Sequence, residues 1–264
     1  MNKKEKSKII FLSGLITLLI ILCIYAFSGF APFGTKTLAV MDANIQYIDF
    51  FSYLKSVIAG KNSIAYSFGK TLGGSNVAVF SYYLSSPFNL LLLFFSNANL
   101  YTFFNIVVAL KLTLASIAFA YFITNRFEAS YKDNSILFIL LSCGYGLCQY
   151  NFFQASNIMW LDGVVWLPVV SLGVWKLINE KKSLLLYLSV IIAILSNWYT
   201  AYMICLFSFF YYTYEVIKKN QFSLKGILKE SFKCFIQYCI TMITAVLTTM
   251  AFFLPVILNL LQGK

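Results

Sequence analysis

Asp42 and Asp162 are the residues of this chain best placed to do chemistry, and they form the candidate catalytic set. Asp42 lies in Val40-Met41-Asp42-Ala43-Asn44-Ile45-Gln46-Tyr47, just beyond the first long apolar segment. Asp162 is the first charge of an otherwise apolar run, Leu161-Asp162-Gly163-Val164-Val165-Trp166-Leu167-Pro168. The chain has nine acidic residues and no histidine, which removes Ser-His-Asp and Cys-His catalysis. A carboxylate at a membrane–water boundary can still act as general base toward an acceptor hydroxyl. It needs no metal if the donor already carries a good leaving group, and a polyprenyl phosphate is such a group. Sugar transfer from a lipid carrier is therefore chemistry open to this chain. The alternative for Asp42 is an ordinary solvated loop carboxylate. Asp162 can instead bridge to a lysine, hold an external loop or shape an acceptor site, because charge entering hydrocarbon usually has a partner. Asp49, two helical turns beyond Asp42, reads as a solvated face charge.

Two lysines extend the set. Lys111 falls in the middle of the apolar run 100–123, and an intramembrane lysine is a functional-site hypothesis by default. Its partner can be a lipid phosphate, Asp42 or Asp162; alternatively it snorkels inside the bundle or seals a helix contact. Lys70 sits in Ser67-Phe68-Gly69-Lys70-Thr71-Leu72-Gly73-Gly74-Ser75, read as a flexible loop whose glycines let backbone N–H groups approach an anion. Aromatic residues gather near the same boundary, among them Tyr47, Tyr82, Tyr83, Trp160, Trp198 and Tyr199. An interfacial aromatic belt is common, but beside carboxylates Tyr47, Tyr82 and Trp160 also resemble a surface on which sugar can stack. The six cysteines form no CxxC pair and lack a histidine to complete a zinc site. They read as small buried hydrophobes, with no metal and no cofactor expected.

These residues need a membrane bundle to position them. The composition is 60% hydrophobic and 11% charged, more apolar surface than a soluble domain of this length could hide. An all-α membrane protein follows, forming a single transmembrane domain over 1–264. About seven spans are expected near 9–30, 100–123, 135–148, 161–177, 184–196, 200–217 and 234–258. The first is too long for a typical cleaved signal and reads as a signal-anchor. Between the first two lies a large outer loop, 31–99. Within it, residues 44–59 place Ile45, Ile48, Phe51, Leu54 and Ile58 near the spacing of an interfacial helix. The run 77–95 is apolar but interrupted by Ser85-Ser86-Pro87-Phe88-Asn89. If it spanned, Lys181-Lys182 and Lys218-Lys219 would lie outside, against the positive-inside rule; an interfacial or re-entrant course puts every basic loop inside. The N-terminus is then cytoplasmic. Those loops account for the net charge of +11, with no need for a nucleic-acid partner.

The blocks Met41-Asp42-Ala43-Asn44-Ile45-Gln46-Tyr47, Tyr66-Ser67-Phe68-Gly69-Lys70-Thr71-Leu72-Gly73-Gly74, Ser81-Tyr82-Tyr83-Leu84-Ser85-Ser86-Pro87-Phe88-Asn89 and Asn157-Ile158-Met159-Trp160-Leu161-Asp162-Gly163-Val164-Val165-Trp166-Leu167-Pro168 together resemble the YfhO family of bacterial membrane proteins. The resemblance implies a GT-C type fold, with an essential acid in an enlarged first outer loop. It also implies use of an undecaprenyl-phosphate-linked sugar to glycosylate a cell-wall polymer such as teichoic acid outside the membrane. Asp42 matches the position of that acid, and Asp162 matches a second outer acid by location. Members are much longer than this chain, so it resembles an N-terminal module. On this reading Lys70 and Lys111 hold the donor phosphate, and Tyr47, Tyr82 and Trp160 meet the sugar. The rival is a non-catalytic transporter or flippase for lipid-linked sugars, or an assembly partner. Transport predicts polar residues continuing through the bundle, whereas transfer needs only an outer-face cavity.

Overall fold

The structure is a computed structural model that describes residues 3–69, 73–127, 134–220 and 224–261. Lys70 and Lys132 lie outside these residues, as do the side chains of Lys225 and Lys229. The helices are α1 (Lys3–Ser28), α2 (Ile48–Ile58), α3 (Val77–Leu84), α4 (Leu100–Arg126), α5 (Ser135–Gly146), α6 (Gln149–Phe153), α7 (Leu161–Glu180), α8 (Leu184–Ser196), α9 (Trp198–Lys219) and α10 (Leu224–Leu261). Among the described residues the one sheet is a hairpin of β1 (Tyr66–Ser67) and β2 (Gly74–Ser75), antiparallel, with Tyr66 opposite Ser75. The segment read as a flexible loop is thus closed at its base by a short ladder. The protein is an all-α membrane protein.

Among the described residues, five helices are long and apolar enough to cross a membrane: Lys4–Ser28, Asn97–Arg126, Ser135–Ser156, Leu161–Glu180 and Phe232–Leu258. A sixth results if α3 and the following helix Pro87–Phe94 count as one span; the two meet at 90°. The expectation of about seven also included 184–196 and 200–217. The 13 residues of α8 reach only about 20 Å, short of the ~30 Å hydrocarbon core. The helix α9 is long but dilutes its apolar residues with tyrosines, Glu215 and two terminal lysines. Both pack along α7. Between the expected spans 135–148 and 161–177, the chain is helical over Gln149–Phe153, as α6, and continues in the turn Gln154–Ser156.

At the centre lie α4 and α7. They pack on each other, α4 also takes α1 and α5, and α7 takes α8 and α9. Lipid tails are as apolar as leucine, so close approach and internal polar bonds must hold these helices together. Small residues provide the approach. A Cβ on Gly146 would lie 2.8 Å from the Leu112 carbonyl oxygen, and one on Gly173 would lie 2.6 Å from Leu186 Cα. Backbone cannot step aside as a side-chain tip can, so Gly146→Val and Gly173→Val are each expected to destabilise by about 1–3 kcal/mol. Gly144→Val, which meets nothing within 4 Å, should have little effect. Thermal melting in detergent separates the three.

Polar bonds complete the packing. Pro168 lies inside α7 and has no N–H to offer the carbonyl four residues back. The Tyr145 hydroxyl donates to that freed Val164 oxygen at 2.8 Å. At the end of the bundle far from Asp42, Arg126 donates to both oxygens of Glu215, at 2.8 and 2.9 Å. This pair ties α4 to α9 with the planar geometry that guanidinium and carboxylate favour.

Candidate functional site

Asp42 is positioned through Asn105, a fully buried amide on α4. Asn105 Oδ1 accepts from the Leu38 N–H at 2.9 Å and from Thr37 Oγ1 at 3.3 Å. Its Nδ2 donates to the carbonyls of Ala31 at 3.0 Å and Lys36 at 3.2 Å. One side chain thus fixes the stretch of chain that runs from α1 toward Asp42. Next comes Met41, whose φ of +52° is the left-handed region that a non-glycine residue adopts only at a cost. Its carbonyl accepts from the N–H groups of Asn44 and Ile45, at 3.1 and 3.2 Å, and so starts the helical turn Ala43–Tyr47. Asp42 heads that turn, is exposed, and its carboxylate caps nothing. Asn105→Ala should leave several of these groups unpaired at about 1–3 kcal/mol each. Trypsin cleavage at Lys36 is expected to become faster in that variant than in wild type.

Beside Asp42 lies an aromatic cluster. Tyr83 meets Tyr47 at a ring-centroid distance of 5.1 Å, Phe50 at 5.2 Å and Tyr82 at 4.6 Å. Tyr82 continues to Trp198 at 5.8 Å and Tyr199 at 6.1 Å, and Trp160 lies 6.3 Å from Tyr199. Polar tips link the rings: Trp160 Nε1 donates to the Tyr82 hydroxyl at 3.2 Å, and the Tyr47 hydroxyl donates to Asn157 Oδ1, also at 3.2 Å. Burial, then Tyr83 and the negative charge of Asp42, push the Tyr47 hydroxyl above its ordinary range, which keeps it a neutral donor. Asn197 anchors the assembly. Its Oδ1 caps α9 by accepting from the Thr200 N–H at 2.9 Å, as a helix N-cap does, while its Nδ2 donates to the Tyr82 carbonyl at 2.9 Å.

Lys111 and Asp162 meet each other. Lys111 Nζ lies 2.7 Å from Asp162 Oδ2, and both side chains are 1% exposed. The ammonium also donates to the Ile158 carbonyl at 2.9 Å and lies 5.3 Å from the centre of the Phe88 ring. Asp162 Oδ1 accepts from Ser86 Oγ at 2.9 Å. Ser86 and Phe88 belong to the elbow between α3 and Pro87–Phe94, where Asn89 Nδ2 satisfies the Leu84 carbonyl at 3.0 Å and Ser85 reaches the Ser196 carbonyl at 3.3 Å. Non-helical backbone at membrane depth is tolerated only where protein satisfies it; here Asn89 satisfies the Leu84 carbonyl, and Asp162 holds the elbow through the Ser86 hydroxyl.

The structure brings Tyr47, Tyr82 and Trp160 into one cluster near Asp42, and joins Lys111 to Asp162 in a separate, closed place. Lys70 lies outside the described residues. Among the described residues no group of three acidic, cysteine or histidine side chains could hold a metal. Sequence reasoning passed over Asn105, Ser86 and Asn197. The signal for Asn105 was a carboxamide inside an apolar run, expensive unless bonded.

Among models of known families, the one described as Bacterial membrane protein YfhO matches residues 13–264. No curated protein and no solved structure matches the chain.

Proposed function

The chain belongs to the YfhO family of bacterial membrane proteins, and from that premise we propose that it is a GT-C type glycosyltransferase module. It takes a sugar from undecaprenyl-phosphate-sugar and gives it to a cell-wall polymer such as teichoic acid on the outer face. The observation that carries this reading is Asp42: an exposed carboxylate, free of any cap, preceded by a strained residue and set beside the aromatic cluster.

In the proposed step the acceptor hydroxyl gives its proton to Asp42. The acceptor oxygen forms a bond to the anomeric carbon as the bond from that carbon to the phosphate oxygen breaks, and undecaprenyl phosphate leaves with the electron pair. One displacement inverts the anomeric centre. Rate enhancement comes from alignment of the two substrates and neutralisation of the leaving phosphate. Lys70 is a candidate for that neutralisation. Lys111 and Asp162 serve the site by holding the elbow, since each is already bonded to the other. By the positive-inside rule the Asp42 end faces outward and the N-terminus the cytoplasm.

The test uses the chain in proteoliposomes with a polyprenyl phosphate carrying a radiolabelled sugar and a glycerol-phosphate polymer as acceptor. Label in the polymer together with released polyprenyl phosphate supports transfer. Label that crosses the bilayer on an intact lipid supports the transporter alternative and overturns this reading.

A further inference from the structure

A cavity of about 340 Å³ opens beside α2, lined by Ile45, Gln46, Asp49, Phe50, Tyr53 and Asn76, among others. Among the described residues, the side chains of Gln46, Asp49 and Asn76 make no hydrogen bond, while Tyr53 is spent on the Ser63 carbonyl at 2.7 Å. Convergent polar groups with spare capacity around a partly apolar wall suit a ligand site. Phe50 joins this wall to the aromatic cluster through Tyr83. Ile45, on the rim, is 70% exposed, and the nearby Phe68 is 82% exposed, an apolar border that suits contact with lipid.

We propose that this cavity is the subsite for a lipid-carried sugar, with Asp49 and Asn76 bonding its hydroxyls and Phe50 facing its ring. A carboxylate accepts from two adjacent hydroxyls, a carboxamide both donates and accepts, and an aromatic face covers the C–H side of the ring. Asp49 also lines a neighbouring polar cavity of about 500 Å³ that carries Lys55 and Lys61, the charge a sugar phosphate requires. The subsite rests on the transferase reading above. It differs from the expectation that Asp49 is merely solvated.

The test measures binding by the full chain in nanodiscs, with decaprenyl-phosphate-linked glucose, decaprenyl phosphate and methyl glucoside as probes. Wild type should prefer the sugar-bearing lipid. Asp49→Asn and Asn76→Ala should each weaken that binding by about tenfold, and neither should weaken binding of decaprenyl phosphate. Unchanged affinity for the sugar-bearing lipid in both variants, with melting temperatures equal to wild type, overturns the subsite and leaves the transferase reading standing. Equal wild-type affinity for the lipid with and without sugar also overturns the subsite alone. Methyl glucoside binding as tightly as the sugar-bearing lipid overturns the lipid-carried part of it. Wild type that binds neither lipid overturns both readings.

Discussion

Asp42→Asn is expected to lower sugar transfer by about 10²–10⁴-fold, the contribution of a positioned general base, with no loss of protein from the membrane. Asparagine keeps the shape of aspartate but cannot take the acceptor proton. Stability should not change, because the Asp42 side chain is exposed and caps nothing. The helical turn it heads is held by backbone bonds to Met41 and by the Tyr101 hydroxyl, which donates to Asn44 Oδ1 at 2.7 Å. Binding of the donor lipid should also persist. A variant that keeps its donor affinity and melting temperature but loses turnover separates a chemical role from a structural one.

Lys111→Met or Asp162→Asn alone is expected to destabilise the protein by about 3–5 kcal/mol, since each leaves a buried charge without its partner. The double variant should recover much of that loss, because removing both charges removes the desolvation cost along with the attraction. It nevertheless weakens the elbow. A methionine at position 111 offers no donor to the Ile158 carbonyl, and the cation near the Phe88 ring is gone. Melting of the four proteins in detergent gives the coupling energy directly. Additive losses would mean that the pair does not act as a unit. Because α3, with Tyr82 and Tyr83, ends at the elbow, transfer should fall in the single variants as well.

The membrane class, the long helices and the charged candidates were legible in the sequence, because each depends on local composition or on one costly residue. Lys111 and Asp162 were conspicuous for that reason, and their pairing was among the alternatives the cost of burial allowed. The interruption at Ser85-Ser86-Pro87 marked the elbow, although its 90° bend came from the structure. Asn105 was not legible in the same way. Its bonds reach residues 67 to 74 positions away, and no periodicity records such distances. Ile45 shows the opposite failure. Helical spacing grouped it with Phe51 and Leu54, which are buried, yet it is exposed on the rim of a cavity. For α8 and α9, apolar character suits a helix packed against its neighbours as well as a span.

The measurement that bears most directly on Asp42 as the base is the sugar content of the cell-wall polymer in cells carrying wild type or Asp42→Asn at matched membrane levels. Acid-dependent transfer requires glycosylated polymer with wild type and its loss with Asp42→Asn. Equal glycosylation in the two would contradict it and remove Asp42 from the chemistry.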